Sequence, residues 1–146
     1  MFNILANHFY FPNISFLDLF AGTGNISYEA ASRGCTDITA VDQEYKCTGF
    51  IKSTVSDFEM EGFQVVRSDA YRYLQNLNRT FDIIFADPPY MSLDTVKVHQ
   101  IVFERNLLNK GGFLIIEHGN DEKFDNLPHL KDKREIGNVN FTIFNP

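Results

Sequence analysis

The chain has 146 residues and a formal net charge of −6, and 44% of its residues are hydrophobic, including 15 phenylalanines and no tryptophan. This length predicts a single domain spanning residues 1–146, with a phenylalanine-rich core that needs neither disulfides nor metals. The acidic balance disfavours a phosphate backbone as partner, and no apolar run approaches the roughly 20 residues of a membrane span. Cys35 and Cys47 lack metal-ligand spacing and no secretory signal is visible, so we expect a cytoplasmic protein with reduced thiols. We also expect a monomer.

Strand-length apolar runs alternate with helix-period segments along the first half of the chain, which is typical of βαβ units around a parallel sheet. The spacing of Phe50, Ile51, Val55 and Phe58 predicts one buried helix face. The elements predicted here are a strand over 14–20, a helix over 25–33 that ends at Gly34, a strand over 37–41, and a helix near 45–60 that Gly62 stops.

The second half continues this alternation and then changes to an antiparallel hairpin. Its predicted elements are a strand over 64–68, a helix near 70–77, a strand over 81–86, a helix near 94–106, a turn over 109–112, and strands over 113–117, 132–136 and 140–144. The last two strands are joined by 137-GN-138, a connection so short that they must be antiparallel. The sequence therefore predicts an α/β fold whose mostly parallel sheet ends in a hairpin.

A glycine-containing loop, 18-DLFAGTGN-25, follows the first strand. In open α/β sheets, ligands bind beyond the carboxyl ends of the strands. Gly22 and Gly24 permit a tight turn and a close backbone approach, and the helix that follows directs its N-terminal dipole at a ligand. Ala21 and Thr23 belong to the same candidate cofactor loop, although glycines also occur in such turns for purely conformational reasons.

Acidic residues end the next two strands. Asp42, followed by Gln43, is placed to accept hydrogen bonds from both hydroxyls of a ribose. Asp69, followed by Ala70, is placed to accept a hydrogen bond from an adenine amino group. Each acid also suits a helix N-cap or a solvated loop, but three successive strand ends with suitable polar groups favour a nucleoside site.

The nucleoside is interpreted as S-adenosylmethionine (SAM) rather than a dinucleotide. A dinucleotide fingerprint has a third glycine where this chain has Ser27. Asp18, four residues before Gly22, would repel a diphosphate but suits the cationic methionine end of SAM. A nicotinamide-dependent oxidoreductase is the alternative.

The stretch 87-DPPY-90 follows the fourth strand and suits methylation of a base amino group. Such a nitrogen is a poor nucleophile because its lone pair is delocalised into the ring, so it must be turned toward the methyl donor. Asp87 and the carbonyl of Pro88 can accept its N–H bonds, and Pro89 stiffens the loop. Tyr90 can stack on a base extruded from its helix. We therefore predict that these four residues are catalytic.

The chain resembles the RsmD family of bacterial small-subunit ribosomal RNA methyltransferases, which methylate the N2 of a guanine. The matching stretches are 2-FNIL-5, 16-FLDLFAGTGNISYEAASRG-34, 42-DQ-43, 81-FDIIFADPPY-90, 111-GGFLIIEH-118 and 134-REIGNVNFTIF-144. The resemblance implies a Rossmann-like class I SAM-dependent methyltransferase whose seven-stranded, mostly parallel sheet has an antiparallel final strand. It also implies SAM as cofactor, ribosomal RNA or the small ribosomal subunit as partner, and a site made of Asp18, Gly22, Gly24, Asp42, Asp69 and Asp87 to Tyr90. Glu29 matches as well, but a carboxylate one turn into the first helix also suits the helix dipole.

The start of the chain departs from the family pattern. Family members normally begin with a basic β-hairpin, whereas this chain begins inside the helix that follows, at 2-FNIL-5. We expect the missing arm to carry much of the RNA contact, which would explain the acidic balance. Two alternatives stay open: methylation of adenine N6 or cytosine N4 in DNA, and a truncated, non-catalytic remnant that binds SAM or ribosomal RNA.

Overall fold

The computed structural model of the chain describes residues 1–89, 95–119 and 124–146. Within these ranges, a seven-stranded sheet lies at the centre and helices pack on both of its faces. The strands in these ranges are β1 (Phe16–Leu19), β2 (Ile38–Asp42), β3 (Phe63–Arg67), β4 (Phe81–Ala86), β5 (Leu108–His118), β6 (Leu130–Ile136) and β7 (Val139–Phe144). The helices are α1 (Phe2–Ala6), α2 (Asn25–Ser32), α3 (Tyr45–Asp57), α4 (Ala70–Asn76) and α5 (Thr95–Glu104), and a 3₁₀ turn covers Phe11–Asn13.

The strands follow the order β3-β2-β1-β4-β5-β7-β6 across the sheet. Strands β1 to β5 pair in parallel, and β7 runs antiparallel to both β5 and β6. Gly137, with φ of 64°, lies in the tight turn between β6 and β7. This topology confirms the predicted mostly parallel sheet with an antiparallel final strand. The strand order reverses between β1 and β4, and a ligand crevice is expected at the carboxyl ends of the strands there.

Phenylalanines fill the core on both faces of the sheet. Strand side chains alternate between the two faces, so that β4 places Ile84 on the face covered by α4 and α5, and Phe85 on the face covered by α1 and α2. The first face buries Phe81, Phe124 and Phe144, and the second buries Phe16, Phe85 and Phe113. Each such side chain contributes roughly 1.5–3 kcal/mol when fully buried. The prediction of a phenylalanine-rich core is confirmed.

The apolar face predicted for α3 is wrong. Phe50 and Phe58 are 53% and 73% exposed, whereas Ile51 is fully buried. Adjacent helical residues point about 100° apart, and here Ile51 faces the sheet while Phe50 points toward solvent. Thr48 and Ile51 lie on the buried face, and Phe58 follows the last helical residue, Asp57. The helix therefore exposes aromatic side chains that the spacing had placed in the core.

The predicted turn over 109–112 lies inside β5. Phe81 pairs with Leu108 and Ile83 pairs with Phe113, so the register of β4 and β5 shifts between these pairs. Gly111 has φ of 80° within this irregular stretch. Gly111 and Gly112 thus lie in a bulge within one long strand, and not in a turn that precedes a short strand.

Cys35 is buried and Cys47 is half-buried, and both are free thiols. Within the described ranges, no group of three or more His, Cys, Asp or Glu side chains could hold a metal ion. No helix in the same ranges is long and apolar enough to cross a lipid bilayer.

Candidate functional site

A cleft of about 640 Å³ opens at the carboxyl ends of β2, β3 and β4, which is within the usual size of small-molecule sites. Three strand ends that are separate in the sequence meet around it. The predicted site residues in its lining are Asp42, Gln43, Asp69, Ala70, Asp87, Pro88 and Pro89. Asp18 and the loop residues Ala21, Gly22, Thr23 and Gly24 are not among the described lining residues, whereas Phe20, the residue after β1, is.

Asp42 connects the cleft to the glycine-containing loop. Its Oδ2 accepts the N–H of Gly22 at 2.9 Å, and its Oδ1 accepts the N–H of Glu44 at 2.9 Å. Each carboxylate oxygen has two lone pairs, so one acceptor direction on each oxygen remains for a ligand hydroxyl. The side chain therefore anchors the loop, a role that the sequence did not reveal, and its proposed contact with a ribose stays a prediction.

The loop between β1 and α2 depends on its glycines. Gly22 and Gly24 have φ of 58° and 92°, a region that favours glycine. The N–H of Ala21 donates to the carbonyl of Val41 at 3.0 Å, and the N–H of Gly24 donates to the carbonyl of Ala21 at 2.9 Å. A Cβ on Gly24 would lie 2.7 Å from the Tyr28 ring. The conformational reason for both glycines is therefore present, whatever the loop binds.

Asp18 is buried beneath α2 instead of pointing into the cleft. It is 1% exposed, and its Oδ2 accepts the hydroxyl hydrogen of Ser27 at 2.6 Å. Burial raises the pKa of Asp18 to about 7 against the lowering effect of the Ser27 hydrogen bond, and the negative charges of Asp87 and Asp42 raise it further. In the sequence, Ser27 was notable only for standing where a dinucleotide fingerprint has its third glycine. In the structure it is the hydrogen-bond partner of Asp18.

Asp69 caps α4. Its Oδ1 accepts the N–H of Arg72 at 2.9 Å, which is the N-cap geometry considered as an alternative at the sequence level. The side chain also lines the cleft, so capping and ligand binding are compatible. Ala70, the first helical residue, is buried beside it.

The start of the DPPY motif lies at the β1–β4 junction. The N–H of Asp87 faces the carbonyl of Leu19 at 3.5 Å, which extends the β1–β4 pairing by one residue. Pro88 is buried, Pro89 is exposed, and burial raises the pKa of Asp87. Tyr90, predicted to stack on a base, lies outside the described residues.

Two aromatic residues that the sequence did not single out form a wall of the cleft. Phe20 and Tyr71 both line it, and their rings meet edge to face with centroids 5.8 Å apart. Phe20 has φ of 58°, an uncommon conformation for a residue other than glycine. Lys97 lies over the Tyr71 ring, with its Nζ 5.1 Å from the centroid. A planar, partly apolar ligand group suits this wall.

Glu117 is a further acid that the sequence did not single out. It lies near the end of β5, and Ile116 before it pairs with Ala86 of β4. Burial raises the pKa of Glu117 to about 7, and the neighbouring charge of Asp87 contributes. The carboxyl ends of β4 and β5 therefore hold two adjacent carboxyl groups.

The residues around the cleft fit SAM better than a dinucleotide. No Lys or Arg is among the described residues that line it, whereas Asp42, Glu44, Asp69 and Asp87 do. Such a lining attracts a cation and repels a diphosphate. The Tyr28 hydroxyl, beside Gly24, is buried and has no hydrogen-bond partner among the described residues. A polar donor is thus available next to the loop.

Comparisons with known proteins identify the relatives of this chain. A family model described as "Conserved hypothetical protein 95" matches residues 1–145. "Putative rRNA methyltransferase YlbH" of Bacillus subtilis is 34% identical over 122 residues, which cover 81% of this chain and 65% of the relative. "Ribosomal RNA small subunit methyltransferase D" of Buchnera aphidicola is 25% identical over 132 residues, with coverages of 88% and 67%. The chain thus spans about two thirds of the length of these curated relatives.

The fold also matches a solved structure of a "putative methylase" from Haemophilus influenzae. The TM-score is 0.85 at 22% sequence identity, and the match covers 98% of this chain and 91% of that chain. Likeness at this level of identity concerns the fold, and it agrees with the class I methyltransferase architecture predicted from the sequence.

Proposed function

The chain belongs to the RsmD-like family whose model is described as "Conserved hypothetical protein 95", and on this premise we propose that it is a SAM-dependent methyltransferase of ribosomal RNA. We further propose the exocyclic N2 of a guanine in small-subunit RNA as the methyl acceptor, a reaction that takes place in the cytoplasm. The observation that carries the proposal is the order of acceptors along the sheet edge. Asp69, Asp42 and Asp87 end β3, β2 and β4 around one cleft. Both curated relatives are named as ribosomal RNA methyltransferases, which supports ribosomal RNA as the substrate class.

The cofactor half of this site uses three carboxylates and one loop. Asp69 accepts a hydrogen bond from the adenine amino group, and Asp42 accepts those of the ribose hydroxyls. The loop over residues 21–24 presents backbone N–H groups at the start of α2, where the helix dipole favours a carboxylate such as that of methionine. Buried Asp18, once ionised above its pKa of about 7, supplies negative potential beneath the cationic end. SAM, when bound, supplies a methyl group on a sulfonium, a good leaving group.

The base half of the site orients the amine. Asp87 and the Pro88 carbonyl each accept one N–H bond of N2, which turns the nitrogen lone pair toward the methyl carbon. SAM held in this cleft would supply the methyl group to N2, and the electron pair of its carbon–sulfur bond would stay on sulfur. The methylated amine then loses one proton to the Asp87 carboxylate. Little base strength is needed because the amine becomes acidic as the methyl arrives.

Methylation of a DNA amino group is the second candidate within this chemistry. The DPPY motif suits adenine N6 and cytosine N4 as well as guanine N2. The net charge of −6 disfavours extended contact with either nucleic acid backbone, so charge does not separate the two. The curated relatives favour RNA.

Incorporation of labelled methyl groups separates the two substrates. The chain is incubated with labelled SAM and either undermethylated small ribosomal subunits or DNA, and the modified nucleosides are identified by mass spectrometry. Label in N2-methylguanosine of the RNA is expected. Label confined to DNA would remove the proposed substrate.

Calorimetry tests whether the chain binds the cofactor at all. SAM is expected to bind in preference to NAD because the cleft lining is acidic. Absence of SAM binding would favour the non-catalytic remnant, and a preference for NAD would restore an oxidoreductase.

A further inference from the structure

The sheet edge continues beyond the groups that the proposed function uses. The strand order β3-β2-β1-β4-β5 places five carboxyl ends side by side, about 4.8 Å apart from strand to strand. Asp69, Asp42, the Gly22 loop and Asp87 end the first four strands, in the order adenine, ribose, methionine and reacting amine. Glu117 lies at the end of the fifth. It therefore occupies the position directly beyond the amine.

Glu117 and Asp87 face the same side of the sheet. Phe85 and Ile115, two residues earlier on the two strands, pack in the same core, and side chains two apart on a strand share a face. Glu117 is held in a regular strand because it also pairs with Phe141 of β7. A rigid strand, not a loop, positions its carboxyl group beside Asp87.

The Watson–Crick edge of guanine has a distinct pattern next to its amine. An N1–H donor follows the N2 amine, and the O6 acceptor follows N1–H. Adenine and cytosine instead place an unprotonated ring nitrogen, an acceptor, next to the amine. Enzymes that extrude a base read this edge by hydrogen bonds. A carboxyl group beside Asp87 is well placed for that reading.

We propose that Glu117 recognises the target guanine: its carbonyl oxygen accepts the N1–H bond, and its hydroxyl donates to O6. This inference rests on the proposed function, and it assigns the choice of base to a residue outside the DPPY motif. N2 donates its two hydrogens to Asp87 and to the Pro88 carbonyl. The N1–H and O6 groups of the guanine are therefore free to bond with a side chain of β5. Adenine or cytosine could form only one of the two bonds with the same carboxyl group.

The electrostatics of the pair agree with a protonated Glu117. Two adjacent carboxyl groups cannot both ionise easily, and the pKa of Glu117 is raised to about 7 by burial and by Asp87. On β7, the residue paired with Glu117 is the uncharged Phe141. On β6, Arg134 lies opposite Phe141 and forms an ion pair with Asp132. Below about pH 7, Glu117 thus holds the hydroxyl hydrogen, and Asp87 carries the charge that accepts the amine proton.

Two variants of Glu117 test this role in the full chain. Glu117→Gln keeps a carbonyl acceptor and an N–H donor but does not titrate, whereas Glu117→Leu keeps the bulk and loses both. Glu61→Gln is the matched control, since Glu61 is exposed ahead of β3 at the other end of the sheet. Formation of N2-methylguanosine in undermethylated small subunits is measured from pH 6 to 9, with SAM affinity by calorimetry and folding by thermal unfolding.

The wild type is expected to lose kcat/KM as pH rises above about 7, the region where Glu117 ionises. Glu117→Gln is expected to stay within about threefold of wild type at neutral pH and to lose the decline of kcat/KM above pH 7. Glu117→Leu is expected to lower kcat/KM at least about tenfold with SAM affinity unchanged, as for loss of two hydrogen bonds. Glu61→Gln should match the wild type throughout.

Three results would overturn the assignment. They are a Gln variant as impaired as the Leu variant, a Gln variant with the same pH profile as wild type, or a folded Leu variant with full activity. If the Leu variant fails to fold, the Gln profile alone decides. If the wild type forms no N2-methylguanosine, the proposed function is wrong and this inference falls with it. If the wild type is active and one of the three results above is found, only the role of Glu117 is wrong.

Discussion

The acids on the two halves of the site are held in different ways. On the proposed cofactor side, Asp42 accepts hydrogen bonds from the N–H groups of Gly22 and Glu44, and Asp69 accepts one from the N–H of Arg72. On the proposed base side, Asp87 and Glu117 are half-buried neighbours at the ends of adjacent strands, and burial raises the pKa of both. Backbone donors fix the first pair, whereas the second pair depends on which carboxyl group holds a proton.

Under the proposed roles, this difference predicts that cofactor affinity and turnover respond to different substitutions. Acids that also organise a loop or a helix end affect stability and cofactor affinity together when they are replaced. Acids that contact only the base affect turnover and leave the fold and the cofactor alone. Substitutions on the two sides should therefore give different kinds of loss.

Asp87→Ala should give the largest effect. We expect kcat to fall at least about 100-fold, since a reacting group that is not held in line loses that much rate, while the Kd for SAM stays within about twofold. Asp87→Asn keeps one acceptor oxygen and should lose less. Rates come from nucleoside mass spectrometry and Kd from calorimetry. A parallel loss of SAM affinity in Asp87→Ala would erase the distinction between the two sides.

Asp18→Asn should change how stability depends on pH. The folded pKa of Asp18, about 7, lies above the ordinary value of 3.8 for an aspartate. The folded state therefore binds the extra proton, and the stability that this provides is full below the unfolded pKa and is lost as pH rises through the folded one. The loss is at most about 4 kcal/mol at ~1.4 kcal/mol per pKa unit.

The Asn variant keeps an acceptor for Ser27 but cannot ionise, so it should lack this decline. Urea unfolding of both proteins at pH 4.5 and pH 8 measures the difference. The wild type should lose stability relative to Asp18→Asn on going to pH 8. An equal change in the free energy of unfolding of the two proteins would show that burial does not raise the pKa of Asp18.

Asp42→Ala should affect affinity and stability together. Loss of the bonds from Gly22 and Glu44 should lower the free energy of unfolding by about 1–2 kcal/mol and weaken SAM binding at least about tenfold. Asp57→Ala, at the exposed end of α3, is the control and should change neither quantity. If stability falls while Kd for SAM does not change, Asp42 anchors the loop without binding the ribose.

Local sequence signals located most of the fold and the cleft. The strand predicted over 81–86 has the observed bounds of β4, because an uninterrupted apolar run ends at two prolines. Asp42 and Asp69 were found because an acid after such a run must lie at the sheet edge, where both now line the cleft. Their roles toward a ligand stay predictions.

Contacts between distant segments were not readable from the sequence. The Ser27 bond to Asp18 needs the packing of α2 on β1, and the proximity of Glu117 to Asp87 needs the β4–β5 register. The positive φ of Phe20 has no residue-type signal. For Phe50 and Phe58, a local signal was misleading. Their spacing predicted that they share a buried helix face, but the structure leaves both side chains exposed.

Asp69 offers the smallest and most selective test, because one side chain has two separable roles. Asp69→Ala should lower the free energy of unfolding by about 1 kcal/mol, since the N-cap of α4 is lost. Asp69→Ser restores a capping oxygen but removes the carboxylate that we propose accepts a hydrogen bond from the adenine amine. The Ser variant should therefore unfold like the wild type in urea yet bind SAM several-fold more weakly by calorimetry. Wild-type affinity in the Ser variant would reduce Asp69 to a helix cap, and the cofactor side would then depend on Asp42 and the loop alone.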